Sequence, residues 1–158
     1  MKGLARSRTL VESGHGAEAG RQASWWLPAE LPSVRRARRL TRATLAEWGF
    51  EDQIEVAELL VSELVGNALD HTRGQARLSF AAVDGRLRCE VEDEDPELPS
   101  MRAVDVDAES GRGLFLVDML SNCWGSVATA RGKAIWFELP AFADAHVESL
   151  DALEAIAA

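Results

Sequence analysis

The dipeptide Asp84-Gly85 restricts this chain more than any other feature. It lies between "ARLSFAAV" (76–83) and "RLRCEVED" (86–93), two stretches that alternate or run apolar. Asp-Gly favours the tight turn with positive φ that joins antiparallel strands, so the two stretches read as a hairpin. "CWGSVATA" and "KAIWFELP" read as a second hairpin around Arg131-Gly132. Hairpins separated by helical stretches argue against a doubly wound parallel sheet. The expected fold class is α+β, a two-layer α/β sandwich with a mostly antiparallel mixed sheet covered on one face by about three helices.

The helical stretches follow from their periodicity. "WWLPAEL" (25–31) offers a short first strand, limited to an edge or a strand end by Pro28 and Pro32. Ser33 is placed to cap a helix running to about Trp48, with Val34, Ala37, Thr41, Leu45 and Trp48 as its inner stripe and Gly49 as its stop. Asp52 is placed to cap a second helix over 53–72, with Glu55 completing a capping box and a broad apolar face from Ile54 to Leu69. "GLFLVDMLS" (113–121) reads as a buried helix. The acidic stretch 94–112 carries two prolines and no period, which predicts a long loop of the kind that covers functional sites. The domain is expected over 24–140, with a flexible tail at 1–23 and an acidic tail or short helix at 141–158.

Composition excludes several function classes. A net charge of −9 disfavours generic binding to nucleic acid or an anionic membrane. No apolar run reaches the length of a membrane span and the N-terminus lacks a signal-peptide stretch, so a cytoplasmic protein is expected. Cys89 and Cys123 have no metal spacing and sit in apolar contexts, which predicts two buried thiols. "RRARR" (35–39) with Arg42 gives the first helix a basic face, readable as a DNA contact, a solvated face or a partner surface.

The chemistry concentrates in "SELVGNALDH" (62–71). Glu63 and Asn67 are four apart, and Asn67 and Asp70 three apart, which puts all three on one helix face. A carboxylate and an amide oxygen at that spacing suit a hard cation such as Mg²⁺ that a substrate's phosphates coordinate for the most part. Asp93 ends a strand, where its carboxylate can accept a hydrogen bond from an amino group such as that of adenine. "GRG" (111–113) opens a helix, and a helix N-terminus with glycine attracts phosphate. Neither GxxxxGK(S/T) nor a GxGxxG after a strand is present.

Taken together, these segments resemble the GHKL, or Bergerat-fold, ATP-binding domains. "LLVSELVGNALDH" looks like their N-box, "VEDEDPELP" takes the place of the first glycine box, "GRGLFLVDMLSNCWG" looks like the second, and "GKAIWFEL" like the closing strand. The closest likeness is to the small free-standing anti-sigma-factor serine/threonine kinases, over about residues 25–140. The resemblance implies ATP and Mg²⁺ as cofactors. It implies Asn67 as the Mg²⁺ ligand, Glu63 as the general base, and Asp70 and His71 near the nucleotide. It further implies Asp93 on the adenine amino group, Gly111, Arg112 and Gly113 on the phosphates, and Thr129 as an adenine-side hydroxyl. The implied partners are a sigma factor, an anti-anti-sigma protein, or both, and related kinases can be homodimers. No direct nucleic-acid contact and no membrane are expected.

One departure stands out. Where the family has DxGxG this chain has Asp93-Glu94-Asp95-Pro96, with added carboxylates beside a site for a polyanion. Like charge there repels ATP unless the side chains point away or meet Mg²⁺. Two functions therefore compete: a kinase that phosphorylates an anti-anti-sigma partner, and a non-catalytic protein-binding module with weak or no nucleotide binding.

Overall fold

The computed structural model describes residues 20–71, 74–97 and 112–140. Strand β1 (Arg21–Leu27) is followed by helices α1 (Pro32–Trp48) and α2 (Ile54–His71), the hairpin β2 (Ala76–Val83) and β3 (Arg86–Asp93), helix α3 (Arg112–Leu120), and the hairpin β4 (Cys123–Ala128) and β5 (Lys133–Pro140). The five strands form one sheet in the order β1-β2-β3-β5-β4, and every adjacent pair runs antiparallel. The expected α+β two-layer architecture is present, with no parallel pairing among the described strands.

The sheet divides its side chains by register. Leu27, Leu78, Val91 and Ile135 share one face with Phe80, Cys89 and Phe137, and this face packs under the helices. Phe80 and Phe137 are fully enclosed, and Trp25 meets Phe80 edge to face at 5.9 Å. Val56, Leu60, Leu64, Val65 and Ala68 of α2 close the core from above, with Ala37 and Leu45 of α1 and Val117 and Leu120 of α3. Burial of this apolar surface is the main stabilising contribution. The helices α1 and α2 are further tied by Arg42, which grips Glu58 with two hydrogen bonds of 2.8 and 3.1 Å, and by Arg38 Nε on Ser62 Oγ at 2.6 Å.

Several local expectations hold. Asp84 and Gly85 take φ of 52° and 72°, the left-handed pair that the β2–β3 turn requires. Gly49 ends α1 at φ 81°, its N–H donating to Leu45 O. The inner stripe of α1 is as read, with Ala37, Thr41 and Leu45 buried and Val34 and Trp48 half-buried.

Others need correction. Strand β1 begins at Arg21, inside the stretch expected to be tail, because Arg21, Gln22 and Ala23 pair with Ala82, Ala81 and Phe80 along the sheet edge. It stops at Leu27, since Pro28 has no N–H to continue the ladder. Ser33 does not cap α1: Pro32 takes the first helical position, and Ser33 Oγ, one turn-residue later, donates to Pro28 O at 2.6 Å. Asp52 lies inside a 3₁₀ turn, Glu51–Gln53, so it cannot form a capping box at the start of α2. Its neighbour Gln53 is buried and donates from Nε2 to Pro140 O at 2.8 Å, tying the turn to the end of β5. Helix α3 is not buried all round, for Phe115, Asp118 and Met119 are exposed. Cys89 is buried, its thiol pushed well up by desolvation, while Cys123 is half-buried and donates to Glu138 Oε2.

The long loop is described only at 94–97, and both expected tails beyond Gly20 and Pro140 lie outside the described residues. Leu116 and Ile135 are ordinary partners of the core. No described helix is long and apolar enough to cross a membrane.

Candidate functional site

Helix α2 carries Glu63 and Asn67 half-buried on the side that meets α3. The junction is made by Gly113, the second residue of α3, which is buried. A Cβ at that position would lie 2.7 Å from Asn67 Nδ2 and 3.5 Å from Glu63 Cβ. Glycine therefore lets the first turn of α3 close onto both polar residues. The Asn67 amide presents its nitrogen to the glycine, which leaves its oxygen for another partner. Among the described residues neither the Glu63 carboxylate nor the Asn67 amide has a hydrogen-bond or ion-pair partner. Asp70, one turn further on, is exposed. The sequence placed these three on one face; the structure brings Glu63 and Asn67 against α3 and leaves Asp70 toward solvent.

The residue His71 ends α2, and its side chain lies outside the described residues, as do Gly111 and the side chain of Arg112. The backbone of Arg112 opens α3.

A second group forms where β3 ends. The β3–β5 register sets Asp93 opposite Lys133, and their side chains are only 5% and 8% exposed. Lys133 Nζ lies 3.2 Å from Asp93 Oδ1 and 3.4 Å from Asp95 Oδ2, and donates to Asp95 O at 3.4 Å. Asp95 N donates to Asp93 Oδ1 at 3.0 Å. Desolvation pushes the Asp93 carboxyl above its ordinary range, and Lys133 and the Asp95 N–H oppose that push.

The remaining added carboxylate, Glu94, is turned aside. It accepts from Arg131 Nη2 at 2.9 Å and lies against the backbone of Gly74, where a Cβ would overlap it. Arg131 in turn stacks 4.1 Å over Trp26, which also faces Arg77 at 5.6 Å. Of the acidic run after β3, Glu94 thus meets Arg131, and Asp93 and Asp95 share Lys133.

Thr129 lies in the β4–β5 turn. Its N–H donates to Gly132 O and its Oγ1 accepts from Gly132 N, at 3.0 and 3.1 Å, so the hydroxyl first serves the turn. Gly132 presses on the end of β3: a Cβ there would sit 2.5 Å from the Glu94 carbonyl carbon, 2.8 Å from its Cα, and against Asp93 O. From the sequence Gly132 reads as a turn residue and Lys133 as the first residue of a strand. A lysine opening the mostly apolar run "KAIWFELP" is the signal that it needs a buried counter-charge.

The chain matches the family model described as the histidine kinase-like ATPase domain over residues 27–139, well over half its length. It belongs to that family. No curated protein matches it. The domain is of the GHKL ATPase-like kind, for which ATP is the implied ligand. The residues fit the phosphate end of such a ligand. Two half-buried oxygen-bearing side chains, without partners among the described residues, stand beside a helix start that glycine lets approach them closely. Among the described residues no cluster of three or more His, Cys, Asp or Glu could hold a metal by itself. A cation here would depend on phosphate oxygens and water, as hard divalent ions at nucleotide sites do.

Proposed function

We propose that this domain binds Mg²⁺-ATP at the α2–α3 junction and acts as a serine/threonine protein kinase on an anti-anti-sigma partner, while sequestering a sigma factor. The observation that carries the reading is the pair Glu63 and Asn67, partnerless among the described residues and packed on Gly113. Asn67 Oδ1 would hold the cation, which supplies charge neutralisation between the phosphates. The α3 N-terminus would present backbone N–H groups to the phosphates. Glu63 would take the proton of the attacking serine hydroxyl as the oxygen bonds to the γ-phosphorus and the bond to the leaving ADP oxygen breaks. Asp93 would receive the adenine amino group, with Thr129, His71 and Asp70 on the rim.

A thermal-shift titration with Mg²⁺-ATP tests binding, since a ligand of the folded state raises the melting temperature in a concentration-dependent way. Glu63→Gln keeps the shape and removes the base. It should retain the ATP-dependent shift and lose phosphorylation of the partner by about 100-fold or more. Equal loss of both would remove the base assignment.

A second reading is favoured by helix α1. Arg35 and Arg39 are exposed and, among the described residues, unpaired, and they line up with Leu31, which is 93% exposed. This stripe on an acidic protein suits an acidic partner surface. If no Mg²⁺-ATP shift occurs, the protein acts as a binding module through that stripe.

A further inference from the structure

We propose that Lys133 is a positioning residue for the nucleobase: it anchors one oxygen of Asp93 and leaves the other as the acceptor for an exocyclic amino group. The inference rests on the nucleotide-binding reading above and adds a residue to it.

An ammonium has three donors, and three acceptors stand around Lys133 Nζ: Asp93 Oδ1, Asp95 Oδ2 and Asp95 O. The lysine is therefore spent on this knot and does not reach for phosphate. Both contacts to Asp93, from Lys133 Nζ and from Asp95 N, fall on Oδ1. Among the described residues nothing bonds to Oδ2. One carboxylate oxygen is fixed and the other is on offer, which gives an acceptor of set direction rather than a freely rotating one.

The same contact also bears on the charge of Asp93, opposing the upward push of desolvation. Asp93 is buried, and a carboxyl buried alone tends to hold its proton. The charges that act on it are Lys133 from β5, which favours ionisation, and Asp95 from the loop after β3, which opposes it. Arg131 of the neighbouring turn is engaged by Glu94, and no charge on α2 acts on Asp93 among the described residues. An ionised Asp93 accepts from an amino group; a protonated one presents an O–H to it and loses that bond. Lys133 thus bears on base selection without touching the base.

The test is the pH profile of nucleotide binding in the full chain, by calorimetry with Mg²⁺-ATP and Mg²⁺-ITP from about pH 5.5 to about pH 8. ITP replaces the 6-amino group by an oxo group, so the unaltered protein should prefer ATP by about tenfold or more across the range. In Lys133→Met the preference should persist at the alkaline end and fall below about threefold at the acid end. Lys133→Arg should restore it. Lys133→Gln, which keeps a polar donor without charge, should behave as Lys133→Met and covers the case in which the methionine variant folds poorly. A carboxyl ¹³C titration of Asp93 without nucleotide should move to higher pH in both uncharged variants. If the unaltered protein prefers ATP and the variants keep the same pH profile, the positioning role is overturned and the nucleotide site stands. If the unaltered protein binds neither nucleotide, both readings fall.

Discussion

Replacing Gly132 by alanine puts a methyl group into the backbone of the neighbouring strand. The added Cβ would lie 2.5 and 2.8 Å from the carbonyl carbon and Cα of Glu94, and nearer still to Asp93 O. Ordinary carbon contacts begin near 3.5 Å, so the β4–β5 turn and the end of β3 must separate by roughly 1 Å. The obstacle is main chain, which cannot rotate aside as a side chain can. Gly132 is not among the residues with positive φ, so the cost is steric and not conformational. Overpacking of this kind costs typically 1–3 kcal/mol, and a backbone obstacle places it near the top, at about 3 kcal/mol. For a chain of 158 residues that corresponds to a fall in Tm of roughly 6–12 °C. Urea unfolding of Gly132→Ala gives the free energy directly. Gly66→Ala is the internal control, because a Cβ there meets nothing within 4 Å in the middle of α2. It should stabilise by about 0.5–1 kcal/mol through the helix preference for alanine. A Gly132→Ala protein within about 0.5 kcal/mol of the unaltered one would refute the close approach, and with it the register that joins Asp93 to Lys133.

Further outcomes follow from other contacts. Gly113→Ala meets the tip of Asn67, a flexible side chain, so its stability should change by less than about 1 kcal/mol while the Mg²⁺-ATP thermal shift drops sharply; a retained shift removes Asn67 from the site. Trp26→Ala strips the surface under Arg131 and Arg77 and should cost about 1–2 kcal/mol by chemical denaturation, with little salt dependence remaining in the Arg131–Glu94 pair. Asp93, its pKa raised in the folded state, binds a proton more readily there than in the unfolded chain. Its contribution to stability is therefore present below the ordinary carboxylate value and is lost as pH rises through the higher folded value. Unfolding curves of the unaltered protein and Asp93→Asn should diverge toward acid, with the unaltered protein gaining; parallel curves would contradict the upward shift.

The hairpins and helices were legible because each is signalled locally. Asp84-Gly85 names its turn, Gly49 its helix end, and the Val34-to-Trp48 stripe its buried face. The first residues of β1 were not, because an edge strand with its outer face in water needs no apolar alternation: Arg21 and Gln22 join the sheet through their pairing with Ala82 and Ala81. Glu63 and Asn67 could be placed on one face from spacing, but the fact that Gly113 meets them depends on how α3 crosses α2, which no local pattern encodes. The Asp93–Lys133 pair is set by a register between residues 40 positions apart in sequence, and the added acids Glu94 and Asp95 meet Arg131 and Lys133, which arrive from the other hairpin.

The strand order also bears on how the molecule is made. The last of the described strands, β5, is not at an edge but between β3 and β4. Until residues 133–140 are in place, β3 offers a complete row of unpaired N–H and C=O groups, carrying the apolar Leu87, Cys89 and Val91 on one side. Such a row is a template for any other extended chain. Loop closure must bring β5 back across the length of α3 and β4 before that edge is sealed, which makes the step non-local and slow relative to helix formation. A ribosome stalled before Lys133, or a proteolytic cut between β4 and β5, would therefore release a species whose hazard is aggregation through β3 rather than loss of the nucleotide site alone.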